Sequence, residues 1–159
     1  MEHVKEQGVC QTVLHVEVAV LRLDEKGLTI EHEQNRATRH KIRRVRFLFV
    51  LWVEANVGQL KIQYAEERRK VLEVKRKVYQ LLDPGTSSTR VQGWVQLLLD
   101  RAYGKSKARK HLKVFLNPLS GAGSAVKWYY QFAVPLFTAA QCHVDLQETR
   151  SSGQAMVLT

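Results

Sequence analysis

The feature that most constrains this fold is the short segment from Asn117 to Gly123, which separates two regular stretches. Before it lies the apolar run 112–116, which is typical of a buried parallel strand. Pro118 has no backbone donor for a strand ladder, and glycines tolerate a positive φ. The pattern therefore predicts a strand that turns through a glycine-containing loop into a helix, an arrangement that can offer backbone N–H groups to a phosphate.

The residues after the loop have the spacing of a helix over 125–140, followed by a strand over 142–146. Ser124 is a suitable N-cap, and Pro135 predicts a kink or restart. The positions expected to be buried share spacings of three and four and are Val126, Tyr129, Tyr130, Ala133, Val134 and Phe137. Strand, helix and strand predict a right-handed parallel β-α-β unit.

The loop by itself leaves two interpretations open. It lacks the Gly-Lys-Ser/Thr ending of a P-loop and the third glycine of the dinucleotide fingerprint. An ordinary strand–helix turn is therefore as compatible with these residues as a phosphate site is.

The wider pattern resembles the start of the diacylglycerol-kinase-type catalytic domain, and within that group the sphingoid long-chain-base (sphingosine) kinases. The resemblance is clearest over 91–155 and weaker over 43–82. The matching residues are Asn117, Pro118, Gly121, Gly123, Ala125, Pro135, Leu136, Ala139, Ala140 and Thr149. The implied fold class is mixed, α+β / α/β, with a β-rich N-terminal region followed by the first β-α-β of a Rossmann-like nucleotide-binding kinase domain.

The resemblance also implies an ATP-dependent lipid kinase that uses Mg²⁺ and phosphorylates a sphingoid base or a related lipid hydroxyl. Two loops would contact the nucleotide. The implied nucleotide-binding residues are Asn117, Pro118, Leu119, Ser120, Gly121 and Gly123 in the first loop, and Thr149, Arg150, Ser151, Ser152 and Gly153 in the second. The sequence departs from the family at Ser124, which is often Lys, and at Gln154, where His is common.

The family's next motif contains Gly-Asp-Gly and supplies an acidic residue implicated in catalysis, but this sequence has no such tripeptide. Phosphoryl transfer needs positioning, metal neutralisation and an oriented hydroxyl. We therefore expect the chain to be the N-terminal part of a lipid kinase, without catalytic residues of its own and inactive alone.

The chain divides by pattern into a basic β-rich region (1–83), a linker with an amphipathic helix (84–110) and the start of the catalytic domain (111–159). Alternation over 14–20 and 60–64 predicts strands, and the segment 24–27 predicts a hairpin turn. Residues 71–82 fit either a helix or a strand. The apolar stripe from Val91 to Ala102 predicts a helix that packs into a core.

The formal net charge is +10, and all of the excess lies before residue 114. Its clusters lie at 36–46, 68–77 and 105–113. Such clusters attract anionic surfaces, and beside a lipid kinase the natural partner is an anionic membrane. A non-catalytic basic module that binds acidic lipid or a protein is the alternative function. Nucleic acid ranks lower because no aromatic stacking platform accompanies the basic residues. A solvated basic face is the remaining interpretation.

The two cysteines, Cys10 and Cys142, are far apart and predict neither a disulfide framework nor a zinc site. The six histidines show no metal-ligand spacing: His15 fits an exposed strand position and His111 a basic linker. The N-terminus lacks a signal peptide's apolar core, so we expect a cytoplasmic protein with peripheral contact on an intracellular or plasma membrane.

Overall fold

A computed structural model describes residues 12–32, 41–82 and 88–149. Within these residues the strands are β1 (Val13–Val16), β2 (Ala19–Leu23), β3 (Gly27–His32), β4 (Lys41–Arg46), β5 (Val50–Asn56), β6 (Gln59–Arg68), β7 (Val71–Gln80), β8 (His111–Leu116) and β9 (His143–Glu148). The helices are α1 (Ser88–Tyr103), α2 (Ala125–Trp128) and α3 (Val134–Ala139), with a π-helical segment (Tyr129–Ala133) between α2 and α3.

The first seven strands form two antiparallel sheets in sequence order, β1–β4 and β5–β7. An isolated bridge between Val16 and Leu81 joins the sheets. The 3₁₀ turn Phe47–Phe49 separates β4 from β5, so the apolar run 45–53 does not form one continuous strand. The sequence left 71–82 undecided between helix and strand; residues 71–80 form β7, the partner of β6 along its whole length.

The hairpin predicted at 24–27 is confirmed, and its geometry explains its residues. The side chain of Asp24 accepts hydrogen bonds from the backbone N–H of Lys26 at 2.7 Å and of Gly27 at 2.9 Å. The Lys26 bond is the main cause of a lowered pKa for the Asp24 carboxyl. A Cβ at Gly27 would lie 2.2 Å from the carbonyl oxygen of Val45, so only glycine allows β3 and β4 to pair here.

The alternation over 14–20 was predicted to be one strand, and this prediction is wrong in part. Glu17 and Val18 form a tight turn between β1 and β2, which leaves Val18 53% exposed and buries Ala19 completely. The turn reverses the chain direction, so the side-chain alternation restarts on the other strand. His15 is exposed on β1, as the sequence predicted.

The helix α1 covers the two sheets, as its stripe predicted. Its side chains Val91, Trp94, Val95 and Leu98 are buried. They belong to one hydrophobic core with residues of both sheets, which include Leu14, Leu21, Leu28, Ile30, Val53, Leu60, Ile62 and Tyr79. Burial of these side chains removes apolar surface from water and is the main stabilisation of this part of the chain.

The remaining elements form a parallel strand pair with a helical crossover. β8 and β9 pair in parallel from His111 opposite His143 to Leu116 opposite Glu148. His111 is thus the first residue of β8 and not part of a linker. The helix α3 contacts β5, β6 and β7, so the crossover packs against the second antiparallel sheet.

The predicted buried face of this crossover is confirmed only in part. Five of its six predicted residues are half-buried and Tyr130 is 56% exposed, while Ala139 is the one buried residue of α2, the π segment and α3. The restart predicted at Pro135 is confirmed, because α3 begins at Val134 immediately after the π-helical segment. Pro135 cannot donate a backbone hydrogen bond, and the wider π turn rotates the later side chains away from an ideal helical stripe.

Candidate functional site

The candidate site lies where β8 ends, in the exposed loop from Asn117 to Ser124. The loop folds tightly because Asn117 accepts two hydrogen bonds: its side-chain Oδ1 from the N–H of Leu119 at 3.0 Å, and its carbonyl from the N–H of Ser120 at 3.1 Å. Leu119 is 80% exposed. An Asn followed by Pro at such a turn is what turn chemistry favours.

Further backbone hydrogen bonds close the loop onto the start of α2. The N–H of Gly123 and the N–H of Ala125 both donate to the carbonyl of Ser120, at 3.2 and 3.3 Å. The N–H of Ser124 donates to the carbonyl of Gly121 at 3.1 Å. Ser124 occupies the predicted N-cap position, but its side chain makes no capping hydrogen bond. The predicted cap is therefore wrong in its chemistry, because Ser124 already has helical φ and ψ instead of the extended conformation of a capping residue.

Among residues 119–124 of the loop, two backbone N–H groups, those of Gly121 and Ala122, donate no hydrogen bond to another described residue. Three successive residues have a positive φ: 61° at Gly121, 53° at Ala122 and 80° at Gly123. Two free, adjacent amides on a glycine-rich turn can bind an anion. The loop can thus offer two donors to a phosphate, while the amides of Leu119, Ser120, Gly123 and Ser124 are already used internally.

The second predicted contact segment begins at Thr149, and this residue lies next to the end of β8, where the first loop begins. The N–H of Thr149 donates to the carbonyl of Leu116 at 2.9 Å, and Thr149 is buried. Asn117 and Thr149 therefore follow the carboxyl ends of two adjacent parallel strands. In open α/β sheets, ligands bind in the crevice outside such strand ends. Arg150, Ser151, Ser152 and Gly153 lie outside the described residues.

Two groups near the loop were not among the predicted site residues. One is the N–H of Ala122, whose positive φ no residue preference indicates. The other is Trp128, which is 57% exposed. A Cβ at Gly121 would lie 3.9 Å from Cζ3 of Trp128, so the indole ring borders the loop. The signal for Trp128 was a large aromatic residue in the first turn after the loop.

The other end of the strand pair carries a separate polar concavity of about 520 Å³. It is lined in part by His111, Lys113, His143 and Asp145, and the two imidazole rings are 5.0 Å apart. Across the described ranges, no group of three or more His, Cys, Asp or Glu residues is arranged to hold a metal ion. Mg²⁺ remains an implication of the resemblance.

Two contacts connect α1 and the segment after it to strand β5. The hydroxyl of Tyr103 donates to the carbonyl of Leu51. Burial raises the pKa of Tyr103, with a smaller effect of nearby Cys142. The guanidinium of Arg109 lies over the Trp52 ring, 4.6 Å from its centroid.

No described helix is both long enough and apolar enough to cross a lipid bilayer.

Comparison with protein families matches residues 11–104 to the domain of unknown function DUF7493. The match covers more than half of the chain, which therefore belongs to this family. It spans the two antiparallel sheets and α1.

Two curated proteins are similar to a part of the chain. Ceramide kinase of Homo sapiens is 36% identical over 62 residues, which are 39% of this chain and 12% of the kinase. Sphingoid long chain base kinase 5 of Saccharomyces cerevisiae is 32% identical over 62 residues, 39% of this chain and 9% of that kinase. The chain thus aligns with only a small share of each kinase, and the similarity is limited to the matched segment. No solved structure matches the chain.

Proposed function

We propose that this chain contributes the opening part of the ATP site of a lipid kinase that phosphorylates a sphingoid base or a related lipid hydroxyl. The observation that carries the proposal is the hydrogen bond from Thr149 to Leu116, which brings the first residue of the second predicted segment to the strand edge where the first loop begins. The similarity of part of the chain to two lipid kinases supports the same activity.

In this proposal each group has a defined task. The N–H groups of Gly121 and Ala122 bind phosphoryl oxygens, since they are adjacent and donate to no other described residue. The side chain of Asn117 holds the turn in shape through Leu119. Mg²⁺ would be held by the nucleotide phosphates and water together with one or two carboxylates, as is usual for this ion, and none of the described residues is assigned to it. The same proposal includes a Rossmann-like fold for the kinase domain, a lipid substrate and a cytoplasmic location. It also includes the division of the chain into three regions that end at residues 83, 110 and 159.

Catalysis is not assigned to these residues. The sequence contains no Gly-Asp-Gly tripeptide, and no group of three or more described His, Cys, Asp or Glu residues could hold a metal ion. The chain is proposed to bind ATP and to leave the activation of the lipid hydroxyl to other groups.

The test is ATP binding followed by tryptophan fluorescence and by calorimetry. Trp128 borders the loop and is 57% exposed, whereas Trp52 and Trp94 are 7% and 2% exposed. ATP should quench the emission of Trp128, and inorganic tripolyphosphate should compete with it. Trp128→Phe should remove the fluorescence change and keep the calorimetric signal, whereas the control Trp52→Phe should keep both. The absence of calorimetric binding in the unaltered chain would refute the proposal.

A further inference from the structure

The hairpin between β6 and β7 presents a basic tip. Arg68 pairs with Val71 across the hairpin, so the turn consists of Arg69 and Lys70 alone. All three basic residues of the tip, Arg68, Arg69 and Lys70, are exposed. Within the described part of the chain no ion pair forms at Arg69 or Lys70, while Arg68 lies 3.6 Å from Glu66.

The conformation of this turn is unfavourable for the residues that occupy it. The φ angles are 51° at Arg69 and 65° at Lys70. A two-residue hairpin turn with both central residues at positive φ strongly favours Asn-Gly, because other side chains crowd the backbone there. Two long cationic side chains at this position therefore reduce stability. Strained backbone conformations cluster at functional sites.

The strand residues next to the tip add to its positive charge. Residues 66–77 hold six basic side chains against three glutamates. One of these glutamates, Glu66, is already surrounded by cations, with Arg43 hydrogen-bonded to it and Lys75 at 4.0 Å. The guanidinium of Arg76 is held in place by the buried side chain of Gln63 at 3.2 Å.

From these observations we infer that the β6–β7 tip, residues 68–70, docks on an anionic lipid surface. The tip offers cations to lipid headgroups, and Leu72 beside it is 37% exposed, so an apolar side chain lies within reach of the same interface. Residues 66–77 contain no aromatic side chain, so they offer no stacking platform to the bases of a nucleic acid. An anionic lipid surface is a partner beyond ATP, and its link to a lipid substrate rests on the proposed function.

The decisive variant is Arg69→Asn with Lys70→Gly, because it separates a structural role from a binding role. It gives the turn its preferred residues, so we expect the melting temperature of the full chain to rise by about 2–4 °C. It also removes two cations near the surface, so partitioning onto phosphatidylcholine vesicles that contain phosphatidylserine should fall about 30-fold. A variant that merely damaged the fold would lose stability instead.

The matched control removes the same charge elsewhere. Lys105 and Lys107 are exposed in the segment after α1, and Lys105→Gln with Lys107→Gln should keep vesicle binding close to that of the unaltered chain. An equal loss in this control, or no loss in the Asn-Gly variant, would overturn the inference. Tighter binding to a DNA duplex than to these vesicles at equal salt would do the same. The Asn-Gly variant should keep its affinity for ATP, so this inference and the nucleotide site can fail separately.

Discussion

The nucleotide proposal is tested most sharply by comparing alanine at Gly121 with alanine at Gly123. Both glycines have positive φ, 61° and 80°. An added Cβ meets nothing closer than 3.9 Å at Gly121 and nothing within 4 Å at Gly123, so neither substitution creates a steric clash within the chain. Each substitution should cost about 1 kcal/mol of folding stability, because an L-residue disfavours the left-handed region.

The two substitutions should differ in their effect on ATP. The N–H of Gly123 already donates to Ser120, so it has no donor to lose. Gly121→Ala places a methyl group beside the two free amides and hinders the approach of a phosphoryl oxygen. Loss of a hydrogen bond to a charged group costs about 2 kcal/mol, which corresponds to about a 30-fold increase in Kd.

The assay is calorimetric titration of ATP into both variants, with thermal unfolding recorded in parallel. We expect equal decreases in melting temperature, by about 2–4 °C, and weaker ATP binding in Gly121→Ala alone. Equal Kd values in the two variants would refute the assignment of the free amides as the phosphate site. The alternative of an ordinary strand–helix turn would then be favoured.

Two further predictions concern the core. Tyr79→Phe should raise the free energy of unfolding by about 1 kcal/mol in urea titrations, because the buried Tyr79 hydroxyl has no partner among the described residues; a loss of stability would contradict this. Burial also raises the pKa of Tyr79 from 10.0 to about 12. Between pH 10 and about pH 12, Tyr79 therefore loses its proton in the unfolded chain but keeps it in the folded chain, so the free energy of unfolding should fall as the pH rises. This fall should be less steep in Tyr79→Phe. Leu98→Ala should lower stability by about 3 kcal/mol, because Leu98 is fully buried on α1. The control Leu48→Ala should change stability by less than about 0.5 kcal/mol, since Leu48 is 72% exposed, and an equal loss in both variants would contradict the packing described here.

Local chemistry was enough to predict much of the chain. The turn at Asp24 follows from a carboxylate that can accept from two nearby amides, and the stripe on α1 follows from helical spacing. The strand–loop–helix order around Asn117 follows from glycine and proline conformation. In each case the determining interactions lie within a few residues of one another.

The tertiary structure decided what depends on distant partners. The turn at Val18 has no local signal, and the choice of strand for β7 depends on its ten-residue pairing with β6. Which amides of the loop remain free depends on the way the chain folds back onto Ser120. The proximity of Thr149 to Leu116 exists only because two strands 32 residues apart pair in parallel. Sequence patterns report local preference, whereas backbone pairing and the availability of donors are properties of the assembled chain.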